Sequence, residues 1–340
     1  MTRPARLRAA VIGAGAWGTA LADLLARAGH AVRLWAFEPE VAAAVNQEQR
    51  NPLFLPEASL HPTLTASPDL PQVLEDAELV VLVMPSHVYR AVLGRAVEFL
   101  PKEALIVSCT KGIEEGTGFT MCEVAADLLP GSYHHRLTAL SGPSFAREVA
   151  AGAPTAVTVA GRDPAAAQAV QQAFAGPRFR VYTSSDVIGV ELGGAVKNPL
   201  AIAAGMVAGL SLGHNVMAAM ITRGLAEMTR LALARGAEPA TLAGLAGLGD
   251  LVLTCTGALS RNRTVGTRLA QGESIGQITE SMRQVAEGVK NTLTVLELAA
   301  KAGVEMPIVE GVRQVIYEGR APLEVLGELM ERELKPESYQ

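Results

Sequence analysis

The sequence predicts an α/β domain built on a doubly wound, mostly parallel sheet, followed by an all-α domain. Three observations carry this. Short apolar runs alternate with helix-forming segments as far as residue 185, long β-branched runs vanish beyond it, and a glycine-rich turn follows the first apolar run directly. At about 150 residues per domain, 340 residues suggest two domains, with one large α/β domain as the alternative. The expected boundaries are residues 1–185 and 186–340.

Residues 9–12 form a short apolar run that ends in glycine, and residues 19–28 read as a helix closed by Gly29. Residues 31–35 read as the second strand. Residues 79–84 are continuously apolar and β-branched, the pattern of a strand covered on both faces. Residues 105–109 repeat that pattern, and residues 137–140 do so more briefly. Strands at 155–160 and 179–183 flank a helix at 164–174. Ser184-Ser185-Asp186 is a helix-start signal, and helical segments follow at 188–210, 216–234, 263–271, 292–302 and 308–317. No internal repeat of fixed period is present.

Hydrophobic residues make up 49% and charged residues 19%, below the usual quarter, which excludes general disorder. A net charge of −5 argues against a broad nucleic-acid surface but leaves room for a site that grips one phosphate. Cys109, Cys122 and Cys255 permit one disulfide at most and read as thiols of a reducing compartment, so a cytoplasmic location is expected. Three arginines precede the first apolar run in the manner of a secretory signal. Gly13, Gly15, Gly18, Asp23 and Arg27 break that run too soon for one. Residues 198–222 lack any charged side chain but contain Pro199, His214 and Asn215. They read as a buried helix pair interrupted near Gly213, not as a membrane span. No metal-ligand spacing stands out.

Gly13-Ala14-Gly15-Ala16-Trp17-Gly18 lies between a strand and a helix. Gly13 permits the tight turn, Gly15 lets backbone N–H groups approach a pyrophosphate, and Gly18 lets the helix pack on the strand. The helix N-terminus then faces the phosphates. This pattern predicts a Rossmann-like site for NAD or NADP. The tip of the second strand, Leu34-Trp35-Ala36-Phe37-Glu38, leaves the choice between them open. Glu38 stands twenty residues after Gly18 but past the strand end, and Arg33 points along the strand. Two further loops follow strand ends, Pro85-Ser86-His87 and Thr110-Lys111-Gly112. His87 reads as a helix-start residue, whereas Lys111 is either an exposed loop lysine or one that reaches substrate.

In the second half, Glu191-Leu192-Gly193-Gly194-Ala195-Val196-Lys197-Asn198-Pro199 sets a lysine in an apolar helix. Buried lysines need a reason. By itself Lys197 is compatible with a snorkelling side chain or a catalytic one, and Pro199 is expected to weaken or kink the helix. Asp250, within Gly247-Leu248-Gly249-Asp250-Leu251, reads as a counter-charge for a lysine or as a helix cap. Ser260-Arg261-Asn262-Arg263 reads as a phosphate grip at a helix start, or as a solvated cap.

Together these segments resemble the bacterial-type NAD(P)-dependent glycerol-3-phosphate dehydrogenases. The matching stretches are residues 13–20, 83–87, 110–112, 141–148, 189–198, 221–230, 247–256, 260–263, 285–291 and 304–307, so the likeness runs from residue 9 to about 320. The resemblance implies interconversion of sn-glycerol 3-phosphate and dihydroxyacetone phosphate, supplying glycerol 3-phosphate for phospholipid synthesis. It implies Lys197 as general acid/base, with Lys111, Asp250 and Thr254 beside the reacting centre. Lys111, Gly142, Ser144, Lys197, Asp250, Ser260, Arg261 and Asn262 match substrate-contacting positions. Gly13, Gly15, Ala16, Trp17, Gly18, Phe37, Lys111, Ala146, Arg261, Val285 and Glu287 match cofactor-contacting ones. The resemblance also implies a cytoplasmic homodimer that does not span a membrane.

Three departures matter. Phe37 stands where many relatives carry Arg or His, Pro199 stands where an aliphatic residue is common, and Ala16 lacks the hydroxyl that relatives often offer. In the implied reaction Lys197 donates a proton to the carbonyl oxygen during reduction and Lys111 stabilises the developing charge. An ordinary lysine, of pKa about 10.4, is neutral roughly once in a thousand at pH 7.4, a handicap of about 4 kcal/mol for the reverse reaction. Oxidation is therefore expected to favour alkaline pH. The competing readings are a related β-hydroxyacid dehydrogenase, which leaves Arg261 unexplained, and a non-catalytic dinucleotide sensor, for which Lys197 is dispensable.

Overall fold

The computed structural model describes residues 6–282, 286–334 and 336–337. The chain divides into two compact units, Met1–Ala195 with Arg235–Asp250, and Val196–Ala234 with Leu251–Gln340. The change of unit thus falls inside a helix, and residues 235–250 return to the first unit.

The first unit opens with β1 (Arg8–Ile12), α1 (Ala16–Ala28), β2 (Ala31–Trp35), α2 (Pro39–Glu48), β3 (Thr65–Ser67), α3 (Leu70–Leu74), β4 (Leu79–Leu82) and α4 (Ser86–Ala96). It continues through β5 (Leu105–Ser108), α5 (Met121–Leu128), β6 (Leu137–Ser141), α6 (Ala146–Ala150), β7 (Thr155–Gly161), α7 (Pro164–Phe174) and β8 (Phe179–Ser184). The eight strands lie in the order β3-β2-β1-β4-β5-β6-β7-β8. All pairs are parallel except β6 with β7. The α/β class and the doubly wound sheet match the expectation. Alternate residues of β1 enter different cores: Ala9 and Val11 pack with Leu21, Leu34 and Val81, while Ala10 and Ile12 pack with Trp35, Val80 and Leu82. Burial on both faces is why these strands read as unbroken apolar runs. The chain leaves β1 outward to β2 and β3, then crosses back to β4 on the other side of β1. That switch point, where open α/β sheets bind ligands, brings the turns after β1 and β4 together.

Helices follow: α8 (Val187–Gly209), α9 (Gly213–Ala234), α10 (Pro239–Leu242), α11 (Asp250–Thr256), α12 (Arg261–Ala270), α13 (Ile275–Ser281), α14 (Glu287–Lys301), α15 (Pro307–Glu318) and α16 (Pro322–Met330). Helix α8 is long and apolar enough to cross a membrane by length and composition, yet 94% of its apolar window is buried inside the protein. Pro199 does not end it; the helix continues to Gly209 with Leu200, Ala201 and Ile202 fully buried, and the packing holds the turn whose N–H proline removes. In the second unit α8 and α12 touch backbone to backbone. A Cβ on Gly205 would lie 2.0 Å from the Arg263 carbonyl oxygen, and one on Gly266 would lie 1.9 Å from that of Ile202. Ile202, Met206, Val265, Leu269, Ile278, Val312 and Val315 form the surrounding core.

Candidate active site

The glycine turn occupies the switch point. Gly13 has a φ of +121°, and a Cβ there would lie 2.8 Å from the Val83 carbonyl oxygen, so only glycine fits. A Cβ on Gly18 would strike the Gly13 oxygen at 1.8 Å, which shows how closely α1 is drawn onto the turn. A Cβ on Gly15 would meet nothing within 4 Å, so the space above the turn is open. Gly15 caps the 13-residue α1 without a side-chain bond and leaves its first N–H groups for a ligand. Asn51 fixes the turn from behind, its Nδ2 donating to the Ala14 carbonyl and to Thr19 Oγ1, each at 2.8 Å. Ala16 and Trp17 begin α1, and the buried indole Nε1 of Trp17 has no hydrogen-bond acceptor among the described residues. An open glycine cradle, a helix N-terminus and an orphaned indole donor fit the pyrophosphate of a dinucleotide. Phe37 lies two residues past β2, and Ala146 opens α6 and packs against the sheet core.

Lys111 stands three residues past β5. Its Nζ donates to Asp250 Oδ2 at 2.6 Å and to the Gly142 carbonyl at 3.1 Å. The Asp250 side chain is 1% exposed and that of Lys111 17%. Gly142 follows β6 with a φ of +144°, and a Cβ there would crowd Val157 Cα at 3.0 Å; Ser144 Oγ donates to the same Gly142 carbonyl at 2.9 Å. Asp250 begins α11 directly after a π-helical turn, Leu245–Gly249, a rare local geometry that often marks functional sites. A Cβ on Gly193 would lie 2.4 Å from the Ala246 oxygen, so the opening of α8 presses on that turn. Gly194 abuts Lys111 Cγ and Ser141 Oγ in the same way. Glu191, one turn earlier, is buried, and its Oε1 accepts the Cys122 N–H at 2.9 Å; burial pushes its carboxyl up to about 7. Burial also holds the Cys109 thiol well above its ordinary value, which rules it out as a thiolate nucleophile. His87 lies in the first turn of α4, as its helix-start reading expects.

In the second unit Lys197 is buried, and its Nζ donates to Thr254 Oγ1 at 2.9 Å. Beside it Asn198 Oδ1 accepts from Asn262 Nδ2 at 3.0 Å, and Asn262 Oδ1 accepts the Gly288 N–H at 3.0 Å. This buried chain ties α8, the start of α12 and the start of α14 together. Ser260 caps α12, its Oγ accepting the Arg263 N–H at 3.2 Å, and Arg261 is the exposed first residue of that helix. Glu287 opens α14 and is half-buried. Val285 lies outside the described residues.

The structure thus brings Lys111, Gly142, Ser144 and Asp250 together in one unit, and Lys197, Thr254, Ser260 and Asn262 into hydrogen-bonded sets in the other. Sequence reading passed over Asn51 and Glu191. Asn51 sits in a polar loop and Glu191 in an apolar helix, and only the fold shows what each touches. Among the described residues no group of three or more His, Cys, Asp or Glu is placed to hold a metal ion.

Comparison with known proteins shows which family the chain matches. Residues 8–167 match the NAD-dependent glycerol-3-phosphate dehydrogenase N-terminus, and residues 186–327 match the C-terminus of the same family. The chain is 54% identical over 328 residues to the glycerol-3-phosphate dehydrogenase (NAD(P)+) of Citrifermentans bemidjiense, covering 96% of this chain and 98% of that one. It is 54% identical over 331 residues to that of Anaeromyxobacter dehalogenans, covering 97% and 100%. The crystal structure of glycerol-3-phosphate dehydrogenase from Coxiella burnetii superposes with a TM-score of 0.91 at 42% identity, over 97% of this chain and 100% of that one. The chain belongs to the NAD-dependent glycerol-3-phosphate dehydrogenase family.

Proposed function

We propose that Lys197 is the general acid/base of this enzyme, with Lys111, Asp250 and Thr254 preparing the substrate's carbonyl and Ser260, Arg261 and Asn262 serving its phosphate. The reaction follows from the family: an oxidoreductase that interconverts sn-glycerol 3-phosphate and dihydroxyacetone phosphate with NAD(P)H. The observation that carries the assignment is a lysine buried in an apolar helix with its ammonium aimed at Thr254 Oγ1, 2.9 Å away. A lysine is rarely buried without a specific role, and Thr254 Oγ1 helps hold this ammonium in place.

When bound, the dinucleotide supplies or accepts hydride at the carbonyl carbon. Its pyrophosphate falls to Gly13, Gly15, Ala16, Trp17 and Gly18, with Phe37, Ala146, Lys111, Arg261, Val285 and Glu287 as the remaining cofactor positions. Lys197 donates its proton to the carbonyl oxygen during reduction and takes it back during oxidation. Lys111, held on Asp250 and the Gly142 carbonyl, stabilises negative charge on that oxygen. Ser144 helps fix the same Gly142 carbonyl. Arg261 grips the phosphate remote from the bond change, so its binding energy orients the substrate. Asn262, held by Asn198 and Gly288, keeps the start of α12 in place.

The same reading places the enzyme in the cytoplasm, supplying glycerol 3-phosphate for phospholipid synthesis as a homodimer that does not span a membrane. Support for the dimer comes from the second unit, where a groove of about 810 Å³ is lined by Met206, Leu210, Met220, Ile308, Val312 and Leu329. Met330 stands 78% exposed at its edge, and an apolar face of this kind marks an interaction surface.

The test is loss of reduced-nicotinamide absorbance with dihydroxyacetone phosphate. Lys197→Ala is expected to cut kcat by about two to four orders of magnitude while dinucleotide affinity holds within about twofold. Retained turnover would remove Lys197 from the proton transfer, and binding without turnover in the wild type would favour a sensor.

A further inference from the structure

We propose that Phe37 and Glu38 make this chain selective for NADH by leaving a 2′-phosphate without a cation at the end of β2. The inference rests on the glycine turn being a dinucleotide site. In such a sheet the adenosine ribose is read by residues at the tip of the second strand, an acid serving its hydroxyls and an arginine serving a 2′-phosphate. The Gly13 N–H donates to the Trp35 carbonyl at 3.2 Å, so the end of β2 lies beside the turn itself. The chain is then pinned once more, where the buried Ala36 gives its N–H to the Ser67 carbonyl at 3.1 Å.

Phe37 emerges from that anchor 71% exposed, its ring edge-on to Trp35 with centroids 6.3 Å apart. A large apolar ring held in solvent at the ribose position offers a neutral face to an adenosine and nothing to a phosphate dianion. Glu38 caps α2 through its backbone, its carbonyl accepting the Val41 and Ala42 N–H groups, while its carboxylate makes no cap bond. The carboxylate is therefore available to accept from ribose hydroxyls and to repel a 2′-phosphate.

The surrounding charges point the same way. Between Arg33 and Arg50 the sequence carries Glu38, Glu40 and Glu48 and no Lys or Arg. Arg33 is committed elsewhere: its Nη1 donates to the Gln72 and Glu75 carbonyls at 3.0 and 2.8 Å and lies 3.8 Å from the Glu75 carboxylate. Arg50 comes after the full length of α2, and it is the one cation of this stretch whose reach the experiment must exclude.

The experiment is calorimetric titration of the unliganded full-length protein with NADH and with NADPH, alongside turnover with dihydroxyacetone phosphate. NADH is expected to bind about tenfold or more tightly than NADPH, because a like charge facing the 2′-phosphate is costly. Glu38→Gln should weaken NADH and strengthen NADPH, and Phe37→Arg with Glu38→Gln should bring the two dissociation constants together or invert them. Phe37 is exposed and Glu38 half-buried with no side-chain cap bond, and a thermal melt of each variant checks that it folds. Equal affinities in the wild type, or a ratio that neither substitution moves, overturns the proposal. So does tight NADPH binding that Arg50→Ala abolishes, which would place the phosphate beyond α2. Failure of both dinucleotides to bind would overturn the dinucleotide site itself, an outcome distinct from lost selectivity.

Discussion

Lys111 and Asp250 form a close ion pair within the first unit. Nζ and Oδ2 are 2.6 Å apart, with Asp250 almost wholly buried and Lys111 partly open to solvent. Removing one member of such a pair leaves the other less well compensated, which can cost more than the pair itself contributes. Asp250→Asn keeps the shape and the hydrogen-bonding reach but removes the charge. The expected outcome in steady-state kinetics is a kcat/KM for dihydroxyacetone phosphate lower by about a hundredfold, mostly through kcat. An unchanged kcat would show that Lys111 does not rely on Asp250 to stabilise charge on the carbonyl oxygen. At this scale the sequence was partly legible. An acid in the apolar stretch around residue 250 reads as a counter-charge for a lysine or as a helix cap, and the structure shows it paired with a lysine. The sequence cannot say which lysine, because Lys111 is 139 positions away and only the sheet order brings it there. Glu191 was illegible for the same reason, since its partner is a backbone N–H at the start of α5.

Helices and strands were more legible where burial is two-sided or periodic. The β-branched runs at β4 and β5 and the helices α7, α8 and α15 declare themselves by composition, whereas β3 is three residues long and cannot. Pro199 shows propensity losing to packing within α8. The contact between α8 and α12 is a further element-scale feature the sequence does not announce. Gly205 and Gly266 face the partner helix's carbonyls at distances a Cβ cannot occupy. Gly205→Ala or Gly266→Ala must push α12 away, at about 1–3 kcal/mol or more. Because α12 begins with Arg261 and Asn262, the displacement should also raise the KM for dihydroxyacetone phosphate. Gly224→Ala is the control: its Cβ would meet only the ends of the flexible Leu200 side chain, at 3.2 Å. Thermal melts and KM should move together for the first two variants and little for the third. Equal behaviour of all three would mean the close crossing does not position α12.

At the scale of the whole molecule, burial opposes the ionisation of a carboxyl in each unit. Glu191 in the first unit and Glu227 in the second are both pushed up to about 7 by desolvation. Glu227 accepts the Ile308 N–H at 2.8 Å at the start of α15, which moderates the shift without cancelling it. Below the ordinary glutamate value of 4.5 both groups are protonated in the folded and the unfolded chain, and folding pays no penalty. As pH rises toward 7 the unfolded chain releases these protons and the folded chain keeps them, so stability falls; above 7 the loss is complete. A shift of this size corresponds to about 3 kcal/mol for each group. Glutamine keeps an acceptor oxygen for Cys122 in one case and for Ile308 in the other, and it does not titrate. Glu191→Gln and Glu227→Gln should therefore gain on the wild type steadily between pH 5 and pH 8, by about 3 kcal/mol each at the upper end. Denaturant unfolding at each pH reads the difference. A difference that stays constant across that range would show that the folded protein ionises both carboxyls as readily as the unfolded chain does.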